Sequence, residues 1–173
     1  MSITPSTKVK IGLPVSEIKY LAKNTPLTYD QVLNRLHDML LYVLDELIFE
    51  LEIWINRFVP KRTGQLRDNL LKNLESSDVK TGLLRVILGT DILYAEDVNE
   101  MSTMQVRHSG ELGYAYYYGE HGKIILNDPE AIGNFWDELL KYAKERAMVI
   151  LQRAIDEYFK GTGSLMKSVR GKL

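Results

Sequence analysis

The sequence predicts an α+β fold in which a small antiparallel sheet of about four strands packs with two long amphipathic helices, between extended N- and C-terminal arms. Apolar residues recur at a helical period in two long stretches, and the region between them carries strand-like segments and turn sequences. With 173 residues, 45% of them hydrophobic, the chain is long enough for one domain with a buried core. We therefore assign residues 1–27 to an N-terminal arm, 28–160 to a single α+β domain, and 161–173 to a basic C-terminal tail.

The first long helix is predicted to begin at a capping box and to end before a proline. In the sequence TYDQ, the Thr28 hydroxyl can accept a hydrogen bond from the backbone near Gln31, and the Gln31 side chain can reach back. Apolar residues then fall on one side of the helix as far as Phe58, while charged residues gather on the opposite side. Pro60 ends the helix because it restricts the preceding residue, Val59, to an extended conformation.

A second set of apolar residues lies off the main apolar face of this helix. It comprises Met39, Tyr42, Phe49 and Ile53, which sit beside the charged residues. A helix that is apolar on two faces usually contacts something on both. These four residues therefore indicate a contact with another element of this chain or with another subunit.

The stretch VPKRTGQLRDNL, which runs from Val59 to Leu70, predicts a sharp joint between the first helix and a short second one. Thr63 suits an N-cap, because its hydroxyl can satisfy a free backbone amide of the next turn. Gly64 follows where the chain turns tightly. Leu66 and Leu70 are four residues apart and share a face of the second helix, whereas Arg67 points elsewhere.

The middle of the chain carries the strand-like segments. The sequence KTG at 80–82 is a plausible hairpin turn before the strand LLRVILG, and TMQVRHS at 103–109 is a further candidate strand. In the segment GYAYYYGE, strand alternation places Tyr114, Tyr116 and Tyr118 on one face, where sheet packing or a subunit contact would account for them. The sequence KIIL is another short strand.

The last helix is predicted to open within the sequence NDPEAI. Asp128 suits the N-cap position and Pro129 the first helical position. An apolar stripe then runs from Ile132 to Ala154, and two glycines end the helix near Lys160.

No residue pattern indicates catalysis or the binding of a cofactor or metal. The chain has no cysteine, and its three histidines lack the spacing of a zinc site. Asp38, Asp45 and Glu52 recur every seven residues on the first helix, and paired carboxylates can hold a divalent cation in a nuclease. They lack a histidine or lysine partner at helical spacing, so we interpret them as a solvated face. We therefore predict no enzyme, no cofactor and no metal site.

Charge is distributed unevenly along the chain. The formal net charge of −1 predicts no polyanionic partner for the whole protein, yet residues 158–173 carry four cations and no acid. Such an end is a solubilising tail or an arm that docks on acidic neighbours or on phosphates. The N-terminus lacks the apolar core of a signal peptide, and acids interrupt the most apolar run, so we expect synthesis in a cytoplasm and no membrane partner.

The joint and a segment downstream of it resemble motifs of the neck and tail-completion proteins of long-tailed phages, a tail-component family. In that family a long helix ends in a proline, and a Thr-Gly-x-Leu-Arg signature then opens a short helix. The positions of this chain that match the signature are Pro60, Thr63, Gly64, Leu66 and Arg67. A later family segment is matched in LYAEDVNEM by Tyr94, Ala95, Val98 and Glu100, with Asn99 where histidine is frequent.

The resemblance implies a structural virion protein without enzymatic activity. It would form a homo-oligomeric ring in the neck, at the head–tail junction, and act in tail completion or head–tail joining. Its partners would be a head connector or stopper protein and a tail terminator or tail tube protein, with DNA passing non-specifically nearby in the lumen. Two alternatives stay open: a nucleic-acid or regulatory binding module that uses the basic tail, and a small metal-dependent nuclease.

Overall fold

The computed structural model has the α+β class that the sequence predicts. The residues that the structure describes are 7–12, 19, 23, 26–61, 64–80, 83–92, 94–108, 116–118, 122–124 and 128–158. Its helices are α1 (Tyr29–Phe58), α2 (Gln65–Glu75), α3 (Ala95–Glu100), α4 (Thr103–His108) and α5 (Phe135–Tyr158). Its strands are β1 (Thr7–Gly12), β2 (Asp78–Lys80), β3 (Leu83–Leu88), β4 (Tyr116–Tyr118) and β5 (Gly122–Ile124). Within this described part of the chain, no helix is both long and apolar enough to cross a membrane.

Helix α1 has the two ends that the sequence predicts. At its start the Thr28 hydroxyl accepts a hydrogen bond from the Gln31 amide at 3.3 Å, and the Thr28 amide donates to the Gln31 side chain at 2.9 Å. Both halves of the capping box are therefore confirmed. At its end Val59 adopts an extended conformation (φ −73°, ψ 129°) before Pro60, as expected for a residue that precedes proline.

Helices α1 and α5 pack antiparallel and enclose much of the core. The Trp54 ring lies 6.0 Å from the Tyr142 ring, and the Tyr42 ring lies 6.1 Å from the Tyr158 ring. The largest fully buried side chains come mainly from α1, α2 and α5: Trp136, Phe135, Leu36, Met39, Leu40, Leu47, Leu51, Ile55, Leu66, Leu70 and Leu74. Full burial of a side chain of this size stabilises the fold by about 1.5–3 kcal/mol in transfer free energy, so the helix pairing organises the domain.

A polar cluster joins the two long helices at the edge of this core. The Tyr142 hydroxyl donates to the Glu50 carboxylate at 2.8 Å, and Arg146 forms an ion pair with the same carboxylate. The hydrogen bond from Tyr142 lowers the pKa of Glu50 below its ordinary value against the opposing effect of burial, and Arg146 lowers this pKa further.

The strands form two separate antiparallel sheets, rather than the single sheet of about four strands that the sequence suggested. The first has the order β1-β3-β2, and the second pairs β4 with β5. In β3, Leu84, Val86 and Leu88 are buried in alternation, as one core-facing side of a strand requires. Strand β1 runs along the whole of β3, so six residues from the range expected to be an N-terminal arm belong to the sheet.

The segment that begins at Thr103 is a helix, and the prediction of a strand over 103–109 was wrong. The Val106 amide donates to the Ser102 carbonyl at 3.1 Å, which is a helical hydrogen bond between residues four apart. A six-residue segment makes fewer than two helical turns, so its apolar pattern cannot separate a strand period from a helical one. Val106 and Met101 are buried in the core, and this tertiary packing favours the helix over the strand.

Candidate assembly joint and exposed groove

The joint between α1 and α2 turns on a glycine in the left-handed region. Gly64 has φ 91° and ψ −22° and occupies the N-cap position of α2, without a side-chain hydrogen bond at that cap. The expectation that Thr63 is the N-cap was therefore wrong, and Thr63 itself lies outside the described residues. The Gly64 carbonyl accepts from the Asp68 amide at 2.9 Å, which is the first backbone hydrogen bond of this helix. Glycine adopts this conformation without the steric penalty that a Cβ imposes.

The leucines of the joint pack as the sequence predicts. Leu66, Leu70 and Leu74 lie along one face of α2, and all three are at most 2% exposed. Pro60 is buried too. The short helix is therefore held to the core by its own apolar face, and its angle to α1 is fixed at the turn that contains Gly64.

Arg67 ties the joint to a distant part of the chain. Its Nε donates to the Val59 carbonyl at 2.6 Å, and its guanidinium forms an ion pair with Asp128. The two side chains are only 12% and 15% exposed. The backbone amide of Lys61 also donates to the Asp128 carboxylate, at 3.2 Å. The end of α1, the start of α2 and the residue Asp128 therefore share one hydrogen-bonded cluster.

The Arg67 side chain remains charged although it is largely buried. Burial lowers the pKa of Arg67 below its ordinary value, and the neighbouring Asp128 carboxylate opposes that shift. An arginine guanidinium has an ordinary pKa so far above neutrality that it stays protonated in proteins. The interaction is thus a charge-assisted hydrogen bond, which is stronger than a neutral one.

The placement of Asp128 overturns its predicted role as the N-cap of the last helix. Helix α5 begins at Phe135, and residues 128–134 form a turn that we call the closing turn. The carboxylate of Asp128 is engaged by Arg67 and Lys61, while its carbonyl accepts from the Ala131 amide at 3.1 Å. The Ile132 amide donates to the Phe58 carbonyl at 3.0 Å. The Asp128 carboxylate and the Ile132 amide are therefore bound to other parts of the chain, whereas a helix starting at Asp128 would need them for its cap and its first backbone hydrogen bonds.

The second motif segment reaches the same closing turn from the other side. Asn99, on α3, accepts a hydrogen bond from the Trp136 amide through its side-chain oxygen at 2.8 Å and from the Asn134 amide through its carbonyl at 2.8 Å. The first of these bonds satisfies a free amide at the start of α5, as an N-cap side chain does. Asn99 is therefore the cap that the sequence assigned to Asp128.

The other residues of this second segment hold α3 in place. Ala95 and Val98 are buried, Tyr94 is half-buried just before the helix, and Glu100 is exposed. The closing turn also approaches α4 closely: Gly133 donates to the Thr103 hydroxyl at 3.1 Å, and a Cβ at Gly133 would lie 2.0 Å from the Met101 carbonyl oxygen. Both family-like segments thus converge on one turn that is far from each of them in sequence.

Of the four residues in the second apolar set, two are exposed, one is half-buried and one is fully buried. Phe49 is 61% exposed and Ile53 is 51% exposed. Tyr42 is half-buried against the core, where it contacts Tyr158. Met39 is fully buried, so its assignment to a subunit interface was wrong. Helix α1 is packed on more than one side, by α5 at Tyr42 and by α2, β2 and β3, so its buried arc is wider than a single stripe.

Phe49 and Ile53 line a shallow groove of about 590 Å³ on the flank of α1. Its other walls are Glu52, Asn56, Arg57 and Glu130, and the last two form an ion pair at 3.1 Å. We call this surface the α1 groove. It presents an apolar floor with two carboxylates and one guanidinium at its rim.

The other residues that the sequence singled out are the tyrosines of the middle segment and the acidic residues of α1. Tyr116 and Tyr118 lie in β4, while Tyr114 lies outside the described residues. Asp38 and Asp45 are exposed and Glu52 is half-buried on α1. Over the described ranges, no three histidine or carboxylate side chains come together as a metal ion would require.

Sequence reasoning missed two of the contacts that hold the closing turn. Arg67 and Asp128 are 61 residues apart, and Asn99 and Trp136 are 37 apart. No local spacing rule connects residues at such separations. Their only sequence signal is that Arg67 and Asn99 each fall within a family-like segment.

Comparisons with protein-family models, with curated proteins and with solved structures find no match to this chain.

Proposed function

We propose that this protein is a structural ring subunit of a tailed phage, located in the neck at the head–tail junction, where it completes the tail or joins it to the head. The observation that carries the proposal is the α1 groove, which exposes Phe49 and Ile53, the two most exposed large apolar side chains of the described residues. A cluster of exposed large apolar side chains with a polar rim is typical of a protein–protein contact.

The joint supports the same proposal. A ring closes only if each subunit presents its two contact surfaces at a fixed angle, since the error at each interface accumulates around the ring. In this chain Gly64 sets the angle between α1 and α2, and the Arg67–Asp128 pair locks that angle to the closing turn before α5. The family-like residues therefore lie where a defined subunit shape has to be maintained.

The proposed partners follow from the resemblance of the motif. They are further copies of this chain in a homo-oligomeric ring, a head connector or stopper protein on one side, and a tail terminator or tail tube protein on the other. DNA would pass through the lumen without specific recognition. The protein would be made in the host cytoplasm and then reside in the virion.

The test is the mass of the purified protein by light scattering or native mass spectrometry, alone and mixed with the tail terminator of the same genome. We expect complexes whose mass contains several copies of the 19.9 kDa chain. Phe49→Asp with Ile53→Asp places charges in the groove and should weaken assembly by roughly 30-fold or more, because each half-exposed side chain contributes roughly 1 kcal/mol when it is covered.

A matched control is available on α5. Met148 and Val149 are 45% and 49% exposed, so Met148→Asp with Val149→Asp introduces the same two charges at comparably exposed apolar sites that do not line the groove. This variant should assemble like the wild type. A chain that stays at 19.9 kDa alone and with the terminator would contradict the proposal, as would equal effects of the groove and control variants.

A further inference from the structure

The α1 groove lies within reach of a segment of the same chain that has the opposite charge. Helix α5 ends at Tyr158, and the Tyr158 ring contacts Tyr42 on α1. Ile53 is eleven residues further along α1 than Tyr42, which corresponds to about 17 Å at 1.5 Å per residue. The fifteen residues 159–173 can span about 50 Å when extended, so they reach the groove easily.

The surface between the exit point and the groove carries carboxylates. Asp45 lies one turn beyond Tyr42 and one turn before Phe49, and Glu52 lies two turns beyond Asp45 on the same side of α1. Asp45 is exposed and Glu52 lines the groove. Because Arg57 in the groove is already paired with Glu130, it does not neutralise Glu52.

The sequence of residues 159–173 complements this surface in both charge and polarity. It contains Lys160, Lys167, Arg170 and Lys172 and no acidic residue. Three of its five large apolar residues, Leu165, Val169 and Leu173, recur every four positions, and Phe159 and Met166 are the other two. A segment with apolar and basic residues matches a groove with an apolar floor and an acidic rim.

We infer that the α1 groove binds the basic segment 159–173 of its own chain, and that this contact covers Phe49 and Ile53 in the free subunit. The short connection makes the local concentration of the segment on the order of millimolar, so a weak contact is sufficient. This contact is intramolecular and does not depend on the ring proposed above.

Disulfide trapping tests the inference cleanly because the chain has no cysteine of its own. One variant carries Asn56→Cys in the groove together with Ser168→Cys, and the matched control carries Met148→Cys with the same Ser168→Cys. Met148 is exposed and lies about 15 Å along α5 from Tyr158, closer than the roughly 21 Å from Tyr42 to Asn56. The shorter distance alone would therefore favour disulfide formation in the control.

We expect the groove variant at micromolar concentration to form a disulfide within one chain at least tenfold faster than the control. Changing Lys167, Arg170 and Lys172 to Glu should remove this preference, and 1 M salt should reduce it. Three results would each overturn the inference: equal rates in the two variants, crosslinked dimers in place of crosslinked monomers, or a preference that the charge reversal leaves unchanged.

Discussion

The ion pair between Arg67 and Asp128 should be the strongest single polar contact of the joint. It connects α2 to the closing turn, and both side chains are more than four-fifths buried. Removing one partner of a buried pair costs about 3–5 kcal/mol, because the other charge is left without compensation. The remaining exposure of 12% and 15% lowers our expectation for Asp128→Asn to about 2–3 kcal/mol of unfolding free energy.

A second ion pair that involves the same closing turn serves as the control. Arg57, on the last turn of α1, lies 3.1 Å from Glu130 of the closing turn, but these side chains are 56% and 55% exposed. An exposed pair contributes at most about 0.5 kcal/mol. Both pairs hold the closing turn to a neighbouring helix, and they differ strongly in burial.

The measurement is a pair of double-mutant cycles by urea denaturation. One cycle combines Arg67→Met with Asp128→Asn, and the other combines Arg57→Gln with Glu130→Gln. We expect a coupling free energy of about 2 kcal/mol in the first and at most about 0.5 kcal/mol in the second. A coupling below about 0.5 kcal/mol for Arg67 with Asp128 would refute the view that this pair locks the joint.

Three further predictions concern the joint, the cap of α5 and the pairing of the long helices. Gly64→Val should cost about 2–3 kcal/mol and Gly64→Asn under about 1 kcal/mol, as measured by urea denaturation, because a Cβ has ordinary contact distances there and only the backbone conformation is strained. Asn99→Ala should lower stability by about 1 kcal/mol through loss of the cap on Trp136, and an unchanged melting curve would count against that role. Because the pKa of Glu50 is lowered in the folded protein, its contribution to the free energy of unfolding is complete above the ordinary glutamate pKa of about 4.3 and is lost as the pH falls toward the folded pKa. The urea midpoint of Glu50→Gln should therefore fall less than that of wild type between about pH 5 and pH 3.

The features that the sequence predicted correctly are those that depend only on residues close together in the chain. The capping box of α1 requires only Thr28 and Gln31, and the end of that helix requires only Pro60. The strand β3 shows its alternation within six residues, and Leu66 and Leu70 show their common face within five. Each of these features follows from local backbone chemistry and periodicity.

The features that failed depend on packing between distant elements. Asp128 has an ideal local sequence for a helix N-cap, but Arg67 from 61 residues away engages its carboxylate instead. Met39 falls outside the main apolar stripe, but it is fully buried because other elements pack on more than one side of α1. Thr63 precedes Gly64, and the left-handed backbone of that glycine moves the start of α2 by one residue.

The groove was only half predictable for the same reason. Periodicity singled out Phe49 and Ile53 as apolar residues outside the core, and both are exposed. It could not place Glu130 beside them, because that residue arrives with the closing turn.

The most direct test of the proposed function is to locate the protein in tailed particles made from the genome that encodes it. An epitope tag on this chain, detected by gold labelling and electron microscopy, should mark the head–tail junction, and particles made without the protein should show unjoined heads and tails. Label on the capsid shell or the tail tip, or normally joined particles that lack the protein, would contradict a role as a neck ring subunit.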